Sequence, residues 1–302
     1  MVRPTKVVTI GSALQSVYLL NDKGNKASSV GYSVDGGGAN AAVTFVRQGF
    51  DTSYMGVLGN DLAGRAVLDL FDAEGIDTSG IQYVDKPGTG YSVILVGNNY
   101  SKYTYEGAST SFDLLSVNDL IRLQPEWVYI TDTFNSTDKL YEVVEACVKL
   151  KIKIMLNPGQ SVISQTDRIK PLLEDIDVLL VDKSEASALF SGSDLEELVR
   201  RAANLVKVVI VTDSVNGSIA TDGKSLVRAG LYEDIPVVDR SGAGDSFGAG
   251  FLSQWIKDEN LKNAVWFASA NATAVISSLG SLAGILPLNT KLHQMPIHEG
   301  EL

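Results

Sequence analysis

Short apolar runs and amphipathic stretches take turns along this chain, and their order predicts the architecture. Residues 7–10, ending at Gly11, read as a buried strand. Residues 17–20 and 30–34 read as further strands, with the turn cluster Asn21-Asp22-Lys23-Gly24-Asn25 between them. Residues 40–48 have helical spacing and stop at Gly49, a residue suited to the left-handed position after a helix. A strand is expected at 54–58 and a helix at 62–74, closed by Gly75. Residues 91–96 and 102–105 read as a hairpin about Gly97-Asn98-Asn99.

Beyond residue 115 the rhythm becomes regular. Strands are expected at 127–131, 152–156, 178–181 and 208–212, separated by helical segments at 138–150, around 168–173, at 184–190 and at 194–205. Apolar strands alternating with amphipathic helices predict a mostly parallel central sheet with helices on both faces, an α/β fold. A hairpin follows at 219–221 and 225–228 about Asp222-Gly223, and helices at 243–256 and 261–278 finish the body. Residues 1–11, 36–82 and 109–302 are expected to form the α/β body. The two excursions 12–35 and 83–108 are expected to form a small antiparallel β lid.

Composition narrows the chemistry. The chain of 302 residues has 25 basic and 36 acidic side chains, a net charge of −11, so a polyanion such as DNA or RNA is disfavoured as a partner. Cys147 is the single cysteine. It excludes an intrachain disulfide, fits a reducing compartment and, within helical spacing of Leu140, Val143 and Val144, reads as a core thiol. The opening Met1-Val-Arg-Pro-Thr-Lys lacks the apolar core of a secretory leader, and no run is long enough for a membrane span. A cytoplasmic protein that touches no membrane is therefore expected. His293 and His298 fall in a polar C-terminal tail, which argues against a histidine-based metal site or triad.

The sharpest stretch is Asp239-Arg240-Ser241-Gly242-Ala243-Gly244-Asp245, after a strand-like Pro236-Val237-Val238. It opens a helix that buries Phe247, Phe251, Leu252, Trp255 and Ile256 at helical spacing. The first N–H groups of a helix lack internal partners and bind anions, and Asp245 at their edge has the chemistry of a general base. The local residues fit equally a glycine-rich helix start whose aspartate is favoured by the dipole. Gly223-Lys224-Ser225 is not a Walker phosphate loop. Ser218 stands where that motif needs a glycine, and the segment reads as a hairpin turn.

Taken together, these stretches resemble the ribokinase-like (PfkB-type) carbohydrate kinase family over nearly the whole chain. Gly242 to Asp245 resembles its GAGD signature, Gly36-Gly37-Gly38-Ala39-Asn40 its glycine-rich substrate loop and Gly59-Asn60-Asp61-Leu62-Ala63-Gly64 its G-x-D-x-x-G turn. Tyr105-Glu106-Gly107-Ala108 resembles the end of its lid, and Ala270-Asn271-Ala272-Thr273-Ala274 the helix flanking its adenine pocket. The resemblance implies a ribokinase-like fold and transfer of the γ-phosphate of ATP, with Mg2+, to a hydroxyl of a sugar or sugar-like alcohol. Asp245 would be the base, and Gly242, Ala243 and Gly244 the anion hole. Gly37, Gly38 and Asn40 would bind substrate, although from the residues alone Asn40 reads as a helix N-cap.

The same resemblance assigns nucleotide contacts to Thr212, Ser214, Gly217 and Asn271. It assigns Mg2+, held through water, to Asp182 and Glu185, a pair that otherwise reads as a solvated helix start. It assigns a monovalent cation such as K+ to Asp239 and Ser241. Two positions depart from the family. Ser16 stands where an aspartate usually grips two sugar hydroxyls, with Asp22 or Asp35 as compensating candidates, and Ser214 replaces a glycine.

Three functions follow: a sugar kinase, a nucleoside kinase whose base pocket uses Tyr91, Tyr103 and Tyr105, or a regulatory ligand-binding protein without turnover. The tyrosines read equally as packing within the lid or between subunits. An anionic acceptor would call on Arg47 or Arg65, and a homodimer through the lid is expected, as in the family.

Overall fold

The computed structural model describes residues 4–21, 27–97, 100–131, 137–232 and 235–302. The expected turn at 22–25, with Asp22, and the hairpin tip Asn98-Asn99 lie outside the described residues.

Strands β1 (Lys6–Ile10), β2 (Leu14–Asn21) and β3 (Ser29–Asp35) lead into helix α1 (Gly37–Arg47). Strand β4 (Asp51–Gly59), helix α2 (Leu62–Glu74) and strands β5 (Asp77–Val84), β6 (Thr89–Gly97) and β7 (Ser101–Gly107) follow. Then come α3 (Asn118–Leu123), β8 (Trp127–Thr131), α4 (Thr137–Leu150), β9 (Lys153–Asn157), α5 (Gly159–Ile163) and α6 (Thr166–Ile169). The rest is β10 (Val178–Asp182), α7 (Lys183–Phe190), α8 (Leu195–Ala202), β11 (Val208–Thr212), β12 (Ser218–Thr221), β13 (Ser225–Ala229), α9 (Ala243–Asp258), α10 (Leu261–Ile276) and β14 (Ile297–Glu301).

Ten strands form one sheet in the order β14-β13-β12-β11-β10-β9-β8-β1-β4-β5. It is parallel from β11 to β5 and antiparallel from β11 to β14. Its central strands are apolar because both faces are covered. Val8, Met55, Ile130, Leu179 and Val209 face Leu140, Val144, Leu189 and Leu198 of α4, α7 and α8. Val7, Tyr129, Leu180 and Ile210 face Phe45, Phe251, Trp255 and Val265 of α1, α9 and α10. Cys147 lies in the first of these cores, and burial pushes its thiol up to about 12, which makes it the inert packing residue expected.

The second sheet has the order β3-β2-β6-β7. It is two antiparallel hairpins joined by a parallel β2–β6 seam, so the expected antiparallel sheet is mixed at its centre. Register places Tyr18, Ile94 and Lys102 in one row and Ser16, Ser92 and Thr104 in the next, on one face. That face turns inward: Ser16, Tyr18, Ser92 and Ile94 are buried. The opposite face carries Tyr91, Tyr103 and Tyr105, the last two exposed along with Tyr32. The three tyrosines therefore do not form a base pocket on the inner face.

Four further expectations change. Pro236-Val237-Val238 is not a strand; it runs across the end of α10, where the Val238 N–H donates to Ile276 O. The polar tail carries β14, which pairs with β13, and β5 is an additional strand beside β4. Helix α1 begins three residues earlier than its apolar spacing indicates, so Gly36 is the N-cap and Asn40 lies inside the helix.

Candidate active site

The C-terminal ends of β1 and β8, the start of α1 and the start of α9 meet at one point. Tight glycine packing makes this possible. A Cβ on Gly38 would lie 2.6 Å from Gly11 C, so α1 can approach the end of β1 only because both positions lack side chains. Ser12 fixes that approach: its hydroxyl accepts from Gly37 N–H at 3.2 Å and its carbonyl from Ala39 N–H at 3.1 Å.

Gly242 takes φ 74 as the N-cap of α9, and no side chain caps this 16-residue helix. The N–H groups of its first turn are thus left to solvent or ligand. A Cβ on Gly244 would meet nothing within 4 Å, so the cradle is open on that side. Asp245 stands in this first turn, half-buried, and accepts a hydrogen bond from the Thr131 hydroxyl at 3.2 Å. A Cβ on Gly37 would lie 2.7 Å from Asp245 Oδ1, which places this glycine directly against the carboxylate. Asn40 is one residue away in space: a Cβ on Gly242 would lie 2.7 Å from its Nδ2. The Asn40 amide donates to Ser281 O at 2.7 Å, and its Oδ1 is buried without a partner among the described residues. The two stretches singled out from the sequence, 36–40 and 242–245, therefore converge.

The nucleotide and metal candidates sit on neighbouring strands. Asp182 and Thr212 are register partners at the ends of β10 and β11. Asp182 and Glu185 form a reciprocal capping box: Asp182 Oδ1 accepts from Glu185 N–H at 2.8 Å, and Glu185 Oε2 accepts from Asp182 N–H at 2.9 Å. Glu185 is buried rather than solvated, and burial pushes its carboxyl up to about 7. Ser214 has φ 49, the left-handed region, which explains why a glycine suits this position. Gly217 is fixed by packing, since a Cβ there would lie 2.0 Å from Ala229 O. Asn271 is turned to internal use. Its amide donates to Ser246 O at 2.8 Å and its Oδ1 accepts from Leu286 N–H at 2.9 Å, which ties α9, α10 and the following loop together.

The inner face of the small sheet reaches this site. Tyr100 donates to Asp239 Oδ1 at 2.9 Å, and Lys102 Nζ lies 2.8 Å from Asp35 Oδ2 and 3.4 Å from Ser241 Oγ. Ser16 is buried on that face and donates to Asp35 Oδ2 at 3.3 Å. Thr131, Ser281, Tyr100 and Lys102 were not singled out from the sequence, and only Ser281, next to Gly280, has a local signal. Arg47 and Arg65 lie elsewhere: Arg47 binds Glu74, Leu282 O and Ile285 O, while Arg65 is exposed beside Asp69. Among the described residues no helix is long and apolar enough to cross a membrane.

Comparison with known proteins identifies the family. The pattern of the pfkB family carbohydrate kinases matches residues 4–287. A ribokinase from Bacillus subtilis (strain 168) is 27% identical over 304 residues, covering 96% of this chain and 98% of its own. An ATP-dependent 6-phosphofructokinase from Thermoanaerobacterium thermosaccharolyticum is 25% identical over 302 residues, covering 94% and 92%. The structure of Arabidopsis thaliana ribokinase complexed with ribose and ATP superimposes with a TM-score of 0.78 at 22% identity, covering 95% of this chain and 96% of that one. With its ribokinase-like α/β fold, the chain belongs to the pfkB family of carbohydrate kinases.

Proposed function

We propose that this kinase moves the γ-phosphoryl group of ATP onto a hydroxyl of a sugar or sugar-like alcohol, with Asp245 as general base. The observation that carries this reading is the Asp245 carboxylate at the mouth of an uncapped helix, against Gly37 and close to Asn40. The acceptor oxygen attacks phosphorus as its proton passes to Asp245, the bond to the β-phosphate oxygen breaks, and ADP leaves. The Gly242, Ala243 and Gly244 backbone faces the charge that spreads over the phosphoryl oxygens. The amide of Asn40 and the glycines at 37 and 38 bring the acceptor to that point.

Thr212, Ser214 and Gly217 line the turn where the nucleotide phosphates would lie. Mg2+ would supply charge neutralisation on those phosphates. Asp182 and Glu185 fit it through water, because the capping box engages only one oxygen of each carboxylate. A monovalent cation at Asp239 and Ser241 does not fit. Asp239 Oδ1 already accepts from Tyr100 and from Ser241 N–H, its Oδ2 accepts from Gly280 N–H, and the Lys102 ammonium stands next to Ser241. The exposed outer face of the small sheet, with Tyr32, Tyr103 and Tyr105, favours a homodimer, read by light scattering.

The test is ADP release over a panel of sugars, sugar phosphates and nucleosides. Asp245→Asn is expected to lower kcat by about 10²–10⁴. A variant as fast as the parent would refute the assignment of the base.

A further inference from the structure

The inner face of the small sheet holds an ion pair between Asp35 of β3 and Lys102 of β7. Asp35 is 4% exposed, yet its Oδ2 lies 2.8 Å from the Lys102 ammonium. Burial alone would raise its carboxyl; the Lys102 ammonium and the Gly36 N–H outweigh burial and hold it below the usual carboxylate range. Lys102 in turn is driven down by burial and raised by Asp35, with the net shift upward, so both groups stay ionised at neutral pH. A pair with one buried partner and one, Lys102, whose side chain is 32% exposed contributes little to stability.

Its surroundings indicate a ligand. Three buried polar atoms near it are poorly satisfied among the described residues: Asn40 Oδ1 has no partner, and Tyr18 Oη and Ser281 Oγ have only loose contacts with Ser16 and Asp35. Gly280 and Gly242 bring them together. Tyr18 Oη lies 3.6 Å from the place of a Cβ on Gly280, and Ser281 Cβ lies 2.6 Å from that of a Cβ on Gly242. Unpaired buried hydroxyl and amide groups are costly, and a polyhydroxylated ligand supplies what they lack.

We infer that Asp35, steadied by Lys102, is the charged group that grips the hydroxyls of the acceptor, and that the acceptor is a neutral polyol. This deepens the reading of the site as a hydroxyl kinase and rests on it. Ser16 supports Asp35 from the neighbouring strand, since its hydroxyl donates to Asp35 Oδ2. The carboxylate absent at position 16 thus reappears within hydrogen-bond distance of it, from β3. The pair offers adjacent hydroxyls both an acceptor and a donor, while Tyr18, Asn40 and Ser281 take further oxygens. An anionic acceptor is disfavoured because Asp35 and Asp239 stand beside Lys102, which only partly offsets them, and Asp245 lies against Gly37 at the other side of the site.

The experiment moves the carboxylate. D-Ribose, D-fructose and D-fructose 6-phosphate are assayed as acceptors with ATP and Mg2+, and their effect on the melting temperature is read without ATP. Asp35→Asn, which keeps the shape, is expected to raise the KM for the neutral sugar about 10–100-fold, the weight of a charge-assisted hydrogen bond, with a smaller change in kcat. It also removes the melting shift. Ser16→Asp combined with Asp35→Ser is expected to restore both to within about threefold. An unchanged KM in Asp35→Asn, no recovery in the double variant, a higher kcat/KM for D-fructose 6-phosphate, or no response to either neutral sugar would each overturn the inference. Asp245→Asn separates it from the catalytic reading. That variant should lose turnover and keep the melting shift, whereas full turnover would refute the base and leave the Asp35 result standing.

Discussion

Gly37→Ala is the sharpest probe of how the proposed base, Asp245, is positioned. The new methyl carbon would stand 2.7 Å from Asp245 Oδ1, 2.8 Å from Thr131 Oγ1 and 3.0 Å from Thr131 Cγ2. Ordinary contacts are ~3.5 Å, so the carboxylate must retreat by roughly 0.8 Å. A displacement of that size costs about 10²-fold in rate. Stability changes less, because overpacking of about 1–3 kcal/mol is offset by the ~1 kcal/mol that alanine gains over glycine in a helix. The assay is steady-state ADP release together with urea unfolding. A cycle with Asp245→Ala tests the cause. If the methyl group acts by displacing the carboxylate, adding Gly37→Ala to Asp245→Ala should lower the residual rate by less than about threefold. A full, additive loss in the double variant would show that the damage arises elsewhere, and the proposed contact between loop and base would be wrong.

Two other outcomes follow from the ends of β10 and β11, where the nucleotide is proposed to bind. The Glu185 carboxyl is raised by burial to about 7, so the folded chain binds more protons than the unfolded one between the usual carboxylate range and about 7, and this group's contribution to stability falls as pH rises through that window. Glu185→Gln keeps the bond from Asp182 N–H and should flatten that slope, gaining at most about 3 kcal/mol at pH 8 over pH 5 relative to the parent. Superimposable thermal-unfolding profiles in metal-free buffer would refute it. Ser214→Gly relieves a left-handed serine at φ 49 and should raise urea stability by about 0.5–1 kcal/mol, an idea that fails if the midpoint drops.

The parallel core was legible because its strands are apolar on both faces and its helices are not. β5 and β14 escaped for the opposite reason: β14 reads Ile-His-Glu-Gly-Glu, an edge strand held by β13 with no apolar signature. Val237 and Val238 mislead because apolar residues also cross surfaces, and both are exposed. In the site, contiguous motifs were legible and distant pairs were not. Asn40 meets Ser281 across 241 positions, Tyr100 meets Asp239 across 139 and Lys102 meets Asp35 across 67. Such contacts depend on how two sheets face each other, which no local pattern encodes. Asn40 also illustrates a local rule overridden: glycines are poor helix formers, yet the bonds to Ser12 extend α1 back to Gly37 and carry Asn40 inside it.

Tyr100 immediately precedes β7 and Lys102 lies near its start; Tyr100 holds the small sheet to the body, while Lys102 touches both. A ligand entering there first competes with attachments the protein has already made, so its measured affinity is the remainder after those are exchanged. Modest ground-state binding is the natural result, and it leaves more of the available interaction for the moment of transfer. Replacements within this short edge strand would therefore alter grip and choice together, while leaving the reacting helix untouched.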